Sequence, residues 1–230
     1  MRVFTDLHMH SCLSPCGDDA MTPCNICGMA KLKGLDMIAV CDHNTAKQLP
    51  TVKTVADAYG VALLPGMEIT TREEAHLLAY FRTVEEAVAY SDRIYPHLPD
   101  IPNAPDYFGH QQQMNDDDEV IYEEPKLLLS ALDLSIDELC ADILAQGGAP
   151  VPAHINRGSN GLLQALGFFP LDLHVPAVEI SRAVPCPDGF DTMHNLYSSD
   201  AHRLEDMFER IVSLNLKEPT PDAFFEWIFS

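Results

Sequence analysis

Short apolar segments alternate with longer segments of helical pattern along this chain, and this alternation constrains the fold more than any other feature. Strands that alternate with helices favour a parallel α/β architecture. Several apolar segments end in histidine or a carboxylate, and polar residues at strand ends favour a barrel whose site lies at its C-terminal face. We therefore predict an α/β fold with a TIM-like barrel. A doubly wound open sheet is the alternative, although no glycine-rich phosphate-binding motif follows the first strand.

Both kinds of segment can be placed from their periodicity and from the turn residues that bound them. Strands are expected at residues 3–10, 36–41, 61–65, 76–80, 149–153, 175–180 and 195–197. Helices are expected at residues 22–33, 46–59, 84–95, 126–134, 135–146, 161–166 and 221–229. Gly34 and Gly60 mark two helix ends, and Pro50 predicts a kink or a late start in the second helix.

Residues 99–124 interrupt this alternation. The segment is rich in proline and then contains glutamines at 111–113 and an acidic run at 116–119. A long irregular segment within a compact domain is usually a functional lid or a disordered tether. We therefore predict a single domain over residues 1–230 with a lid-like insertion at about 99–124.

The charge balance of the chain is strongly acidic, because 14 lysines and arginines stand against 35 aspartates and glutamates, for a formal net charge of −21. Binding to long nucleic acid or to an anionic membrane depends on dense lysine and arginine. We therefore expect no long nucleic acid and no membrane as partners. No apolar run approaches the roughly 20 residues of a membrane span. No signal-peptide pattern precedes the first strand, so the predicted location is the cytoplasm.

Four of the seven cysteines fall close together, at Cys12, Cys16, Cys24 and Cys27. This spacing permits a separate site for a soft metal. The favoured interpretation is different, because Thr22-Pro23 is typical of a helix start. Cys24 and Cys27 then lie one turn apart on a helix and pack as small hydrophobic side chains.

The polar residues at the strand ends are of the types that bind divalent metals. In an extended segment side chains alternate in direction, so Asp6, His8 and His10 share one face. Imidazole suits borderline-soft metals such as zinc, and a carboxylate can bind the ion or orient its neighbours. The candidates from separate strand ends are His8, His10, His43, Glu68, His154, Asp200 and His202, with His76 and Asp18 nearby. So many ligands exceed the four of one tetrahedral zinc, so two or three ions are expected, with Glu68 or Asp200 free to bridge.

Five motifs occur in order along the chain: Asp-Leu-His-Met-His-Ser from Asp6, Cys-Asp-His-Asn from Cys41, Gly-Met-Glu-Ile from Gly66, Pro-Ala-His from Pro152 and Ser-Asp-Ala-His from Ser199. Together they resemble the motifs of the PHP family, named for polymerase and histidinol phosphatase, over residues 1 to about 216. The resemblance implies a distorted (β/α)7 barrel. It also implies a cluster of two or three divalent ions, zinc, manganese or iron, that hydrolyses phosphoesters.

The resemblance assigns ligands to three metals. Carried over by motif, these are His8, His10, Glu68 and Asp200 for one metal, Glu68, His76 and His154 for a second, and His43 and His202 for a third. The third metal needs one more acidic or histidine ligand, which many relatives supply shortly after the His-x-His. Counting back from Thr22-Pro23, Asp18 takes that position, with Asp19 and Cys16 as alternatives.

The ligand set and the resemblance predict a metal-dependent phosphoesterase for a small phosphorylated metabolite, a nucleotide or a short oligonucleotide. Paired metals lower the pKa of a bound water, so a metal-bound hydroxide is the expected nucleophile, in a cluster organised by Glu68 and Asp200. An arginine matches phosphate oxygens with two parallel hydrogen bonds. Arg157, just past the Pro-Ala-His motif, and Arg182, just past the predicted strand that carries Glu179, are the candidate phosphate ligands.

Three alternative functions stay open at this point. A histidinol-phosphate phosphatase is one, although no residue selects that substrate. An amidohydrolase-like enzyme shares His-x-His motifs but usually needs a carbamylated lysine at a strand end, for which the chain offers no candidate. A non-catalytic regulatory module would bind its metal through the cysteines at positions 12–27.

Metal content gives a first test. The purified protein is expected to carry two or three divalent ions per chain, bound through histidines and carboxylates, because the strand ends supply more ligands than one ion needs. Elemental analysis measures this directly. Less than one equivalent, even after reloading with zinc, manganese or iron, would contradict the metal-centre hypothesis.

Overall fold

The computed structural model describes residues 1–190 and 192–230, in which strands and helices alternate as the sequence predicts. The strands are β1 Arg2–Met9, β2 Met37–Val40, β3 Ala62–Leu63, β4 Gly66–Thr70, β5 His76–Tyr80, β6 Gln112–Met114, β7 Val120–Glu123, β8 Ala149–Pro152, β9 Ala177–Glu179, β10 His194–Leu196 and β11 Ser213–Asn215. The α-helices are α1 Pro23–Lys33, α2 Leu49–Tyr59, α3 Val84–Ile94, α4 Pro105–Phe108, α5 Ile136–Ala145, α6 Leu162–Leu166 and α7 Pro221–Ile228. Two 3₁₀ turns cover Tyr95–His97 and Leu204–Asp206.

The strands form small mixed sheets. One sheet has the order β11-β1-β2-β3, a second β4-β5-β8, and two pairs join β9 to β10 and β6 to β7. The α/β class is therefore confirmed. The expectation of a parallel architecture is wrong for β5 and β11, which run antiparallel to their neighbours. The strands of the described chain do not form one continuous ladder, so closure into a barrel stays a prediction.

The direction of β5 decides where His76 lies. In the antiparallel register Thr70 pairs with His76, and Leu77 pairs with Pro152. The start of β5 therefore lies beside the ends of β4 and β8. A residue at the beginning of one strand thus joins residues at the ends of the others.

Local signals in the sequence explain most helix boundaries. Thr22 accepts a hydrogen bond from the Asn25 amide at the start of α1, and Gly34 ends that helix in the left-handed conformation at φ 71°. Helix α2 begins at Leu49, as the late start predicted from Pro50 requires. The ends of β1 and β2 lie next to each other because the two strands pair in parallel, with Met9 opposite Val40.

Two local predictions are wrong. Residues 126–134 form no helix, and residues 66–70 form a strand that the patterning did not reveal. Side chains from elsewhere bind the backbone of the first segment: the Leu128 amide donates to Gln111 Oε1, and Asn44 Nδ2 donates to the Leu128 carbonyl. These bonds hold the segment in an irregular path with a turn at residues 128–130, so tertiary contacts override its helical propensity.

The segment predicted as an insertion, residues 99–124, packs against the rest of the described chain; that it is a lid in a single domain stays a prediction. Its hairpin of β6 and β7 is anchored by Gln111, which is fully buried and donates from Nε2 to the carbonyls of Glu124 and Lys126 at 2.7 Å each. Gln48, also fully buried, binds both the amide and the carbonyl of Met114. Buried amides with satisfied donors and acceptors hold the insertion in one place.

Two apolar clusters surround the strands. The inner cluster takes residues from β1, β2, β5, β8, β9, β10 and β11 and is covered by Phe224 and Phe225 of α7. The outer cluster packs α1, α2, α3 and α5 against the opposite faces of the strands. The strand ends that carry the polar residues therefore stand on a rigid apolar support.

Replacement of Gln111 tests whether the insertion is an integral part of the fold. Gln111→Ala is expected to lower the free energy of unfolding by about 2–4 kcal/mol, because it leaves buried backbone groups without partners. Urea denaturation measures the change. The neighbouring half-buried Gln112→Ala is the control and should stay within about 0.5 kcal/mol of the unmodified chain. Equal losses in the two variants would contradict this assignment.

Candidate metal centre

One carboxylate lies at the centre of the site. Glu68, on β4, is 1% exposed. Its oxygens are 3.3 Å from His8 Nε2, 3.3 Å from His10 Nε2, 3.3 Å from His43 Nδ1, 2.9 Å from His76 Nδ1 and 3.2 Å from His154 Nε2. Imidazoles from β1, β5 and the residues after β2 and β8 thus converge on one buried acid.

A second carboxylate, Asp200, lies beside the first. Asp200 Oδ1 is 3.5 Å from His8 Nε2 and 3.2 Å from His10 Nε2, and Asp200 Oδ2 pairs with Arg157 Nη1. His202 follows on the same loop, and its ring stacks at 4.4 Å from that of His10. Every predicted metal ligand except Asp18 is therefore brought to this centre.

The side chains fall into three groups whose candidate ligand atoms lie within 4.8 Å of one another. The groups are His8, His10, Glu68 and Asp200; His43, Glu68 and His76; and His10, Cys16, His43 and His202. The nitrogens of His8, His43 and His76 that face Glu68 are buried without a hydrogen-bond partner in the described chain. A buried polar atom without a partner is costly, and a metal ion is the partner that imidazoles and carboxylates in this arrangement suit. The donor set thus fits a cluster of divalent metals.

The residues that orient two of these imidazoles are not among the predicted site residues. Glu179 Oε2 is 3.0 Å from His8 Nδ1 and also accepts the His154 amide at 2.9 Å. His10 Nδ1 is 3.2 Å from Ser14 Oγ, and that hydroxyl donates to Asp42. In each ring one nitrogen is engaged from behind while the other faces the cluster, which is the arrangement that orients metal-binding histidines. Glu179 could have been predicted from the sequence, because it is a carboxylate at the end of a strand, β9.

Two further buried carboxylates hold the loops that carry ligands. Asp6 accepts hydrogen bonds from the amide and hydroxyl of Ser199 and from the Phe208 amide, which holds the loop of Asp200. Asp42 likewise accepts from the amide and hydroxyl of Ser11. Asp6 lies on the predicted strand face, but it belongs to none of the ligand groups and supports the site from outside them.

The backbone is unusual at the same place. Asn44, His154 and Asp200 have positive φ angles of 52°, 28° and 55°. Residues other than glycine adopt this region at a cost, and they do so preferentially at functional sites held by their surroundings. Two of the predicted ligands are therefore presented from conformations that the rest of the structure stabilises.

Burial and mutual charge perturb the pKa values of these groups. Burial opposes ionisation of Glu68, but His76, His8 and His43 lower its pKa well below the usual range. Burial opposes protonation of His8, yet Glu179, Glu68 and Asp200 raise its pKa well above normal. Burial lowers the pKa of His43 strongly and that of His202 to about 4. His43 and His202 are consequently neutral at pH 7, the form that binds metals.

A cavity of about 320 Å³ opens over the cluster. Its lining consists of Cys16, His43, Glu68, His76, Leu129, His154, Arg157, Ser159, Asn160, Asp200 and His202. Arg157 therefore faces the cavity, whereas Arg182 is exposed and lies over the ring of Phe208 at 5.7 Å. No lysine lines the cavity in the part of the chain that the structure describes, so the residue that an amidohydrolase usually requires is not at hand.

The positions of Asp18 and Cys16 differ from the favoured prediction, in which Asp18 is the additional ligand of the third metal. The exposed Asp18 carboxylate accepts the Ala20 amide at 2.9 Å and belongs to none of the three ligand groups. Cys16 takes the position beside His10, His43 and His202 instead. The proline and glycine that flank Cys16 turn the loop so that residue 16, and not residue 18, faces the histidines.

The remaining cysteines do not form a site of their own. Cys12, Cys24 and Cys27 direct their sulfurs at the backbone carbonyls of Gln112, Asp116 and Val52 respectively. No candidate ligand group within residues 1–190 and 192–230 contains more than one cysteine. The geometry therefore favours the interpretation of Cys24 and Cys27 as packing residues and gives no support to a separate cysteine site.

Comparisons with known proteins match the chain to one family profile and to solved structures of the same fold. The PHP domain profile matches residues 6–139. A 5'-3' exoribonuclease from Haemophilus influenzae is 33% identical over 69 residues, 30% of this chain and 24% of that protein. The crystal structure of the lesion-specific endonuclease PfuEndoQ from Pyrococcus furiosus matches with a TM-score of 0.72 and 17% identity, over 100% of this chain and 56% of that one.

A second structure, endonuclease Q with a 27-mer duplex substrate that carries an abasic lesion at the active site, matches with a TM-score of 0.70 and 18% identity, over 99% of this chain and 56% of that one. This chain spans about half the length of the endonuclease Q chains. Its matches cover less than half of the curated relatives.

The duplex complex corrects one prediction. The expectation that long nucleic acid is excluded, drawn from the net charge, is wrong, because a protein of the same fold is solved with a 27-mer duplex at its active site. Net charge sums the whole surface, whereas a substrate meets only the side chains and ions of the site. For membranes the structure adds that no helix of the described residues is long and apolar enough for a span.

Glu179 offers a test of how the metal centre is held. Glu179→Gln is expected to lower metal affinity roughly 10- to 100-fold, because it weakens the hold on His8 from behind the cluster. Equilibrium competition with a chelator measures the affinity. Glu123→Gln makes the same change at the exposed pair of His110 and Glu123, whose side chains approach to 2.7 Å, and should leave metal affinity unchanged. Full affinity in Glu179→Gln would contradict the orienting role.

Proposed function

The chain belongs to the PHP domain family, and from this membership we propose that it is a metal-dependent phosphoesterase that cleaves phosphodiester bonds in nucleic acid. The observation that carries the proposal is the convergence of five imidazoles on the buried carboxylate of Glu68 beneath an open cavity. Such a centre supplies ligands for more than one metal, and multinuclear sites of this type suit phosphoryl transfer.

We assign the ligands by motif and by proximity. His8, His10, Glu68 and Asp200, which form one of the ligand groups, would hold one ion. Glu68 with His76 and His154, whose nitrogens are 2.9 and 3.2 Å from Glu68 Oε1, would hold a second, and His43 and His202 a third. Two or three ions of zinc, manganese or iron are expected, since histidine and carboxylate accept each of them. When bound, these ions supply positive charge to the phosphoryl oxygens and make water a stronger nucleophile.

Arg157 is the proposed phosphate ligand of the protein itself. Its guanidinium lines the cavity, is 47% exposed and pairs with Asp200. A guanidinium presents a planar pair of donors that matches two phosphate oxygens, and it can share its remaining donors with Asp200. Arg157 therefore holds the phosphate at the edge of the cluster while Asp200 keeps its contacts to His8 and His10.

The choice of nucleic acid as substrate rests on several features. The fold is shared with endonuclease Q, and part of the chain is related to an exoribonuclease. The cavity of about 320 Å³ has room for a phosphate and its sugar. Ser159 and Arg157 on its wall are of the types that contact the sugar-phosphate backbone in nucleic-acid complexes. The open face leaves space for the chain of nucleotides to continue outside the cavity.

Cleavage of labelled oligonucleotides tests the proposal. The manganese- or zinc-loaded protein is expected to cut at least one of single-stranded RNA, single-stranded DNA and duplex DNA with an abasic site. Arg157→Ala should lower kcat/KM roughly 30- to 1,000-fold with metal content unchanged, because a charge-assisted bidentate contact contributes about 2–4 kcal/mol. Arg182→Ala removes an arginine outside the cavity and should cost less than about threefold.

Glu68→Gln separates metal binding from phosphate binding. The substitution removes the negative charge at the centre of the histidines, so metal content and activity should fall together, as elemental analysis and the same cleavage assay will show. Loss of metal from Arg157→Ala would rule out its role as a phosphate ligand. Hydrolysis of phosphomonoesters such as histidinol phosphate, with no cleavage of any oligonucleotide, would overturn the proposed substrate.

A further inference from the structure

The third ligand group contains a residue type that the other two do not. Cys16 lies with His10, His43 and His202, and candidate ligand atoms of all four are within 4.8 Å of one another. His10 Nε2 also faces Glu68 and Asp200 in the first group, so it is already engaged there. Cys16, His43 and His202 all line the cavity, whereas His8 and His10 lie fully buried beneath it. The thiol and two imidazoles thus form a set that faces the substrate cavity.

The loop that carries Cys16 is held from several sides. Ser14 Oγ donates to Asp42 and accepts the His43 amide, and the Gly17 amide donates to the Ser14 carbonyl at 2.9 Å. The Asp18 amide donates to the His202 carbonyl at 2.9 Å. These bonds tie the residues on either side of Cys16 to the two loops that carry His43 and His202.

Packing restricts the same loop on its other sides. A Cβ at Gly17 would overlap the Ser11 carbonyl, and a Cβ at Gly109 of the insertion would overlap the Pro15 carbonyl. The Gln112 amide of the insertion donates to the Cys12 carbonyl at 3.0 Å. The turn is therefore closely packed on both sides of Cys16, and the exposed Cys16 side chain has its sulfur near His10, His43 and His202.

The chemistry of the set follows from its members. His43 and His202 are neutral ligands, and Asp18 is turned away, so Cys16 is the one group of this set that can supply a negative charge as thiolate. A metal that binds a thiol displaces its proton to solvent, so the sulfur becomes an anionic donor. Three protein ligands with a fourth position open to a cavity is the pattern of catalytic zinc sites. Thiolate selects zinc over manganese, which prefers oxygen.

We propose that the Cys16 thiolate, with His43 and His202, binds the metal that faces the cavity and makes this position selective for zinc. The assignment rests on the proposed function only in that both require a metal cluster at this place. The thiolate ligand distinguishes this centre from one built of histidines and carboxylates alone. The assignment also predicts that the cavity-facing metal resists exchange by manganese.

Cobalt substitution tests the ligand directly. The apoprotein loaded with cobalt is expected to show a near-ultraviolet thiolate-to-cobalt charge-transfer band, because cobalt occupies zinc sites and only a sulfur ligand produces this absorption. Cys16→Ser should lose the band, and Cys24→Ser, whose sulfur faces the Asp116 carbonyl, should retain it. A cobalt-loaded protein without the band, or a band that survives in Cys16→Ser, overturns the proposal.

Thiol alkylation gives a second readout on the unmodified chain, in case Cys16→Ser does not fold. Zinc should protect Cys16 from iodoacetamide relative to the apoprotein, as peptide mass spectrometry will show. The exposed Cys186 should be labelled equally in both states and serves as the internal control. Equal labelling of Cys16 with and without zinc contradicts coordination.

The Cys16→Asp variant tests selectivity. An oxygen donor in place of sulfur should lower the preference for zinc over manganese at one site by at least about tenfold. Tenfold is the lower end of the loss in metal affinity caused by replacing a residue that only orients a ligand from behind. Competitive loading followed by elemental analysis measures the ratio. An unchanged ratio overturns the claim of selectivity. A protein that shows the charge-transfer band but cleaves no nucleic acid would leave the ligand assignment intact and contradict the proposed function. A protein that cleaves nucleic acid without the band would leave the proposed function intact and contradict the ligand assignment.

Discussion

The burial of Glu68 among histidines is the constraint on which the rest of the centre depends. A carboxylate that leaves water loses several kcal/mol of solvation unless positive charge or hydrogen bonds replace it. The compensating imidazoles, His8, His10, His43, His76 and His154, come from β1, from β5 and from the residues after β2 and β8. No single strand can satisfy Glu68, so the acid is compensated only when these strand ends meet. The arrangement of the strands that compensates Glu68 is thus the same arrangement that assembles the metal centre.

Other buried carboxylates make the meeting of these strand ends rigid. Asp6 holds the loop of Asp200, Asp42 holds the loop of Cys16, and Glu179 holds His8 while it accepts the His154 amide. Asp6 and Asp42 accept from backbone amides and serine hydroxyls, and Glu179 engages an amide and the rear nitrogen of His8, so none of the three belongs to a ligand group. Well-satisfied polar networks of this kind orient ligands within a narrow range, which is what a metal cluster requires.

The sequence predicts the ligands better than it predicts the path of the chain between them. Histidines and acids that directly follow apolar strands could be found because the strand end fixes where they point. The position of His76 depended on the direction of β5, and residues 126–134 lost their helix to hydrogen bonds from Gln111 and Asn44. Net charge failed as a guide to nucleic acid because it averages over a surface of which the substrate meets only a part. These are long-range effects that local patterns do not contain.

The choice between Asp18 and Cys16 shows the same principle at the scale of a few residues. Counting along the chain favours Asp18, but the orientation of the loop is decided by its backbone contacts to His202, Ser14 and the insertion. The insertion therefore influences the centre through packing. It contacts Pro15 and Cys12 and so holds the turn around residue 16 in place. A segment that supports a ligand in this way needs to be rigid, and the fully buried Gln111 and Gln48 make it so. The segment outside the strand and helix alternation thus helps to decide which side chain of this loop faces His43 and His202.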